Sequence, residues 1–166
     1  YWTVPMKSDN GPEAILKLAW QFMESRILLS AAEMNLFTLL DGMPSTAKNL
    51  AGALNADLRG LTILLDALTA MGLLSKKEDM YLSAPDVVPF LTAHSPRSVL
   101  PIILHAAHLW ESWSDLTPIV KGVGLTKVPE SSARDADELR AFIGAMHVVG
   151  MPMAQKIVKA IQPGSA

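Results

Sequence analysis

Two histidines and two tryptophans on one apolar stretch are the first residues whose types could do chemistry. His105 and His108 lie within "VLPIILHAAHLW" at a spacing of i, i+3, so on a helix they share a face. Two imidazoles on one face are the beginning of a metal site. The only carboxylate nearby is Glu111, three residues past His108, so the pair reads as pocket-lining or hydrogen-bonded histidine before it reads as ligands. His94 falls among loop residues and is expected in solvent. Trp110 and Trp113 are one turn apart and would wall a pocket for a flat ligand or fill a core. Further on, "FIGAMHVVGMPMAQKIV" sets Phe142, Met146, Met151 and Met153 around His147. Thioethers pack well on rings, which suits a pocket for a flat organic molecule, although the same groups also make ordinary core.

These groups do not add up to a catalytic site. The sequence shows no glycine-rich phosphate loop, no serine elbow and no paired carboxylates. It has no cysteine, which excludes disulfides, thiolate metal sites and cysteine nucleophiles, and agrees with a cytoplasmic location. A net charge of −2 gives no general attraction to nucleic acid or to an anionic membrane. The longest apolar run is too short to span a bilayer, and no stretch reads as a signal peptide. Half of the 166 residues are hydrophobic and 18% are charged. That is more apolar surface than one small domain needs, and an oligomer interface is the natural outlet.

The elements that would position these residues are mostly helical. Residues 1–11 read as a flexible arm. Pro12 and Glu13 suit the first turn of a long helix running to a break at "MNLF". On that helix Ile15, Leu18, Ala19, Phe22 and Met23 form one stripe, while Leu16, Trp20, Ile27 and Leu28 put apolar groups on other faces. A helix apolar nearly all round is covered on more than one side, and near the start of a small domain this argues for pairing with a second chain. "STAKNLAGALN" predicts a short helix capped by Ser45 or Thr46, and "ADLRGLTILLDALTAMGLL" a second one capped by Asp57 and ended by Gly72. Leu61, Leu64, Leu65, Leu68 and Met71 make its buried stripe. "LLSKKEDMYLS" predicts a hairpin around "KKED", and "SAPDVVPFL" a short helix or turn opened by Ser83. A helix over 98–121, with Pro101 near its start and Pro118 able to kink its far end, precedes a loop, "GLTKVPESSARD". Asp135 and Glu138 then open a last helix reaching about Ile161.

Helix, turn, helix and hairpin in that order make a winged helix-turn-helix. A duplex-reading version needs cations along its second helix. Here that helix offers Arg59, with Lys76 and Lys77 on the wing, and residues 41–82 hold more acids than bases. Nucleic acid is therefore not an expected partner, although a winged-helix, ligand-responsive transcription regulator remains the alternative reading. A short dimerisation module without enzyme activity is a further one.

Four stretches carry a family resemblance. "LAWQFMESRILLSAAEMNLFTLL" resembles the dimerisation helix of the small-molecule S-adenosylmethionine-dependent O-methyltransferases, the caffeate, hydroxyindole and bacterial natural-product type. "TAKNLAGALNADLRGLTILLDALTAMGLL" resembles their helix-turn-helix, "YLSAPDVVPFL" the segment after the wing, and "LWESWSDLTPIVKGVG" with "FIGAMHVVGMPMAQKIV" the two helices that lead to the methyl-donor domain. The resemblance spans about residues 12–162.

The resemblance implies a mainly α fold, a winged helix-turn-helix with long flanking dimerisation helices. Residues 12–95 would form the dimerisation and winged-helix domain, and residues 96–162 a helical pocket and linker region. It implies a homodimer interlocked through Ile15, Leu18, Trp20, Phe22, Met23, Ile27 and Leu28. Trp110, Trp113, Phe142, Met146, His147 and Met151 would then wall a site for a small aromatic or polyketide-like acceptor, since orienting the acceptor hydroxyl is a large part of methyl transfer. "IQPGSA" resembles the approach to the strand that opens a Rossmann-like donor domain. The donor domain and the catalytic histidine are therefore expected outside this chain, which alone would be inactive, with no catalytic residue, no metal and no bound cofactor.

Overall fold

The computed structural model describes residues 11–123 and 136–161. Residues 1–10 of the expected arm, the loop at 124–135 with Asp135, and "QPGSA" lie outside them. The described elements are α1 (Pro12–Glu33), α2 (Leu36–Leu39), β1 (Ser45–Thr46), α3 (Ala47–Leu54), α4 (Leu58–Ala70), β2 (Leu74–Lys77), β3 (Met80–Ser83), α5 (Val88–Leu91), α6 (Leu100–Ser114), α7 (Leu116–Val120) and α8 (Ala136–Ile161). The fold is mainly α with one small antiparallel sheet, as the sequence implied.

The core lies in the middle of the chain. Leu36, Phe37, Leu40, Leu65, Leu68 and Tyr81 are fully buried there. α4 faces this core with Leu61, Leu65 and Leu68, the i, i+4, i+7 row of one helical face, while Leu64 and Met71 are half-buried beside it. Local signals fix where the helices start and stop. The Thr46 hydroxyl accepts from the Asn49 amide (3.2 Å) and the Asp57 carboxylate from the Gly60 amide (2.7 Å), each satisfying a donor that a first helical turn leaves open. Asn55 ends α3 in the left-handed region, and Gly72 adopts φ +75° just past α4, a geometry glycine accepts without a Cβ penalty.

Four details differ from the sequence reading. The sheet has three strands in the order β1-β3-β2, because Ser45 and Thr46 pair with Tyr81 and Met80. The hairpin strands extend to Lys77 and Met80, so only Glu78 and Asp79 form the turn, and Glu78 takes φ 57° to close it. Ser83 does not open a helix. It ends β3 and donates its hydroxyl to the Phe37 carbonyl (3.0 Å), tying the sheet to α2. The helix expected over 98–121 breaks at Asp115, with Pro118 inside α7.

α6 organises the outer helices. Arg26 of α1 meets Trp110 near the end of α6. Ile27, Leu28 and Met34 share the core with Val99 and Ile103 at its beginning. α1 therefore runs antiparallel to α6. On α8, Phe142 meets His105 and Gly144 meets Pro101, so α8 is antiparallel to α6 as well. It follows that the first half of α1 projects past the end of α6, while the second half of α8 projects past its start. Every residue from Pro12 to Ser25 and from Val149 to Ile161 is exposed.

Candidate functional site: the projecting half of α1 and the α6–α8 contact

The first candidate surface is the projecting part of α1. Pro12 stands in the first turn, behind Gly11, and Glu13 follows it, favourable at the positive end of the helix dipole. The apolar groups then point in all directions. Ile15, Leu18, Trp20, Phe22 and Met23 are between 47% and 60% exposed, more than groups of this size keep on a self-contained domain. A shallow groove bounded by Leu16, Trp20 and Met23 runs along this segment. Ile27 and Leu28 behave differently, because both are half-buried against the core of their own subunit. The anchoring turn between the two regimes is held by Arg26, which donates to Glu33 and to the Ser30 hydroxyl (3.2 Å) and lies over the Trp110 ring at 5.4 Å from its centroid.

The second candidate surface is the packing of α8 on α6. Small residues allow close approach, with Ala141 and Ala145 of α8 and Ala107 of α6 all buried. Gly144 faces Pro101 so tightly that a Cβ there would lie 2.7 Å from the proline Cβ. The Phe142 ring stands edge-on to His105, 5.3 Å between centroids. The Nδ1 of His105 is buried with no hydrogen-bond partner among the described residues, which costs on the order of 1–3 kcal/mol.

Among the described residues the six expected acceptor-wall residues have different surroundings. Phe142 packs on His105, Trp110 turns toward Arg26 of α1, Trp113 is 65% exposed, and Met146, His147 and Met151 are exposed on α8. The α6–α8 contact brings forward His105, which the i, i+3 histidine pattern had marked, and Gly144, which carries no local sequence signal for that role. Among the described residues no cluster of three His, Asp or Glu could hold a metal ion. His94, expected in solvent, is exposed yet hydrogen-bonds Asp41 through Nε2 (2.9 Å).

One cation of the hairpin is paired within the fold. Lys76 reaches back to Asp66 of α4 (2.7 Å) and lies over the Tyr81 ring, whose hydroxyl donates to the same carboxylate oxygen (2.8 Å). These hydrogen bonds, from Lys76 first and then Tyr81, hold the Asp66 carboxyl below its ordinary range, and the bond to Asp66 raises the Lys76 ammonium. Burial raises the Tyr81 phenol. One of the two lysines on the hairpin is thus committed within the fold.

A family model described as the O-methyltransferase dimerisation domain matches residues 16–89, which begin in projecting α1 and end in α5. The chain carries an O-methyltransferase dimerisation domain. Over 164 residues, 95% of its length, the chain is 34% identical to the tetracenomycin polyketide synthesis 8-O-methyl transferase TcmO of Streptomyces glaucescens and covers 48% of that protein. An O-methyltransferase family protein from Burkholderia thailandensis is 30% identical, with a TM-score of 0.73 over 89% of this chain and 45% of its own. Human N-acetylserotonin methyltransferase, solved in complex with SAM, shares the fold at 22% identity (TM-score 0.72, 93% of this chain and 50% of that one). The dimerisation domain and the α6–α8 pair together span about half the length of the relatives they match.

Proposed function

We propose that this chain is the subunit-pairing and acceptor-holding portion of an S-adenosylmethionine-dependent methyltransferase that acts on a small organic hydroxyl acceptor in the cytoplasm. The observation that carries this reading is the agreement of two independent facts. The family match begins at Leu16, inside the segment whose large apolar side chains find nothing to cover them among the described residues. A second copy supplies that cover, and the exposure of α1 on every side favours an interlocked homodimer over two helices touching along one stripe.

In this reading Ile15, Leu18, Trp20, Phe22 and Met23 make the interface, with Ile27 and Leu28 anchoring it to the subunit core. Trp110, Trp113, Phe142, Met146, His147 and Met151 wall the acceptor, with walls contributed by more than one subunit or by the remainder of the protein. A flat aromatic or polyketide-like acceptor suits the mixture of indole, phenyl and thioether groups. TcmO, by its name, acts in polyketide synthesis, which supports that class. S-adenosylmethionine serves the whole enzyme and binds outside these residues. α8 is long and apolar enough to cross a membrane by length and composition, with little of it buried; protein partners cover it in this reading. The occupied Lys76 and the sparse charge on α4 weigh against a DNA-binding role.

Sedimentation velocity tests the proposal. The chain is expected to sediment as a dimer at micromolar concentration, and Phe22→Glu, which places a charge at the seam, to yield a folded monomer by circular dichroism. A native monomer at those concentrations would overturn the reading.

A further inference from the structure

α8 is one continuous helix with two unlike halves. From Ala136 to Val148 it is docked, with Ala141 and Ala145 buried on α6 and Gly144 pressed on Pro101. From Val149 to Ile161 every residue is exposed. The change falls at "GMP". Pro152 lies inside the helix and cannot donate the hydrogen bond that the Val148 carbonyl would otherwise accept, and its ring crowds that carbonyl. Gly150, two residues earlier, has nothing within 4 Å of where a Cβ would stand, so no packing there requires a glycine. It loosens the backbone in the same turn that the proline weakens. Sharp helix bends are found where such residues interrupt the ladder.

We propose that Gly150–Met151–Pro152 is a hinge about which residues 153–161 pivot while residues 136–148 stay fixed on α6. This goes beyond the acceptor-wall reading and does not depend on it. If that reading holds, the hinge separates Phe142, Met146 and His147, on the fixed half, from Met151, which lies within the pivot. Movement then changes the wall at one edge without disturbing the His105–Phe142 contact.

The lack of cysteine makes a direct test clean. Ile143→Cys and Lys159→Cys, both exposed in the native chain, place two spin labels about 24 Å apart along a straight helix. Diluting the labelled chain with unlabelled chain removes distances between subunits. Pulsed electron–electron resonance is expected to give a broad distance distribution for the native hinge, about two-fold broader than in Pro152→Ala. Gly150→Ala alone, which meets no clash, should narrow it part-way. A native distribution as narrow as that of Pro152→Ala, or a width unchanged in the Gly150→Ala/Pro152→Ala double variant, would overturn the hinge.

Discussion

The stretch from Leu29 to Leu100 and the two projecting helical ends are similarly rich in apolar residues but use them in opposite ways. In the middle, turns and caps fold the chain back within a few residues, so Leu36, Phe37, Leu65 and Tyr81 bury one another. In the projecting halves of α1 and α8 the chain runs straight, and a straight helix cannot cover its own far side. Burial thus depends on how often the chain reverses as well as on composition. The middle covers its own apolar groups, whereas the projecting ends leave theirs exposed among the described residues.

This contrast can be broken, starting with the largest effect. Phe37→Ala removes a ring that is 1% exposed and is expected to cost roughly 3–5 kcal/mol of unfolding free energy, read by denaturant titration. The same cut at Phe22, 55% exposed in the single chain, should leave the folded monomer intact and instead weaken dimerisation by about ten-fold or more, as expected for an aromatic anchor at an interface, read by concentration-dependent sedimentation. If both variants lost folded-state stability equally at a concentration where the native chain is monomeric, the division into two regions would fail.

A smaller test concerns the caps that let the middle reverse. Asp57→Ala should cost about 1 kcal/mol by leaving the Gly60 amide without its acceptor, and thermal melting would show it. The smallest effect is electrostatic. The folded-state Asp66 carboxyl titrates below its unfolded value, so its contribution is present above about pH 4 and is lost as the pH falls through the folded value. Lys76 and Tyr81 are raised in the folded state. Their contributions are present below about pH 10 and are lost as the pH rises through the folded values. Asp66→Asn should flatten the acid limb of the stability–pH profile while leaving its neutral plateau only slightly lower, since the carboxylate is half-exposed.

Much of the middle was legible in the sequence because its signals are local. The leucine row of α4, the Thr46 and Asp57 caps and the glycine after α4 each act within one or two turns. β1 was missed because a two-residue strand has no alternation to read; only its pairing with Tyr81 and Met80 defines it. Ser83 was misassigned because a serine before a helical pattern resembles a cap, whereas its partner is the carbonyl of Phe37, distant in sequence. For the candidate site, the exposed apolar ring of α1 was legible from its lack of a single stripe. The direction of Trp110 was not, since Arg26 lies on another helix. Nor was the depth of the α6–α8 contact, which depends on a glycine having no side chain opposite a proline.

α6 is a strut from which the free ends of its two neighbours leave in opposite directions. At 15 residues it holds those departures about 22 Å apart. Among the described residues the two projecting ends therefore lie at opposite ends of α6. A tether, dye or antibody fragment attached beyond Pro152 can report on a subunit whose opposite end is already taken.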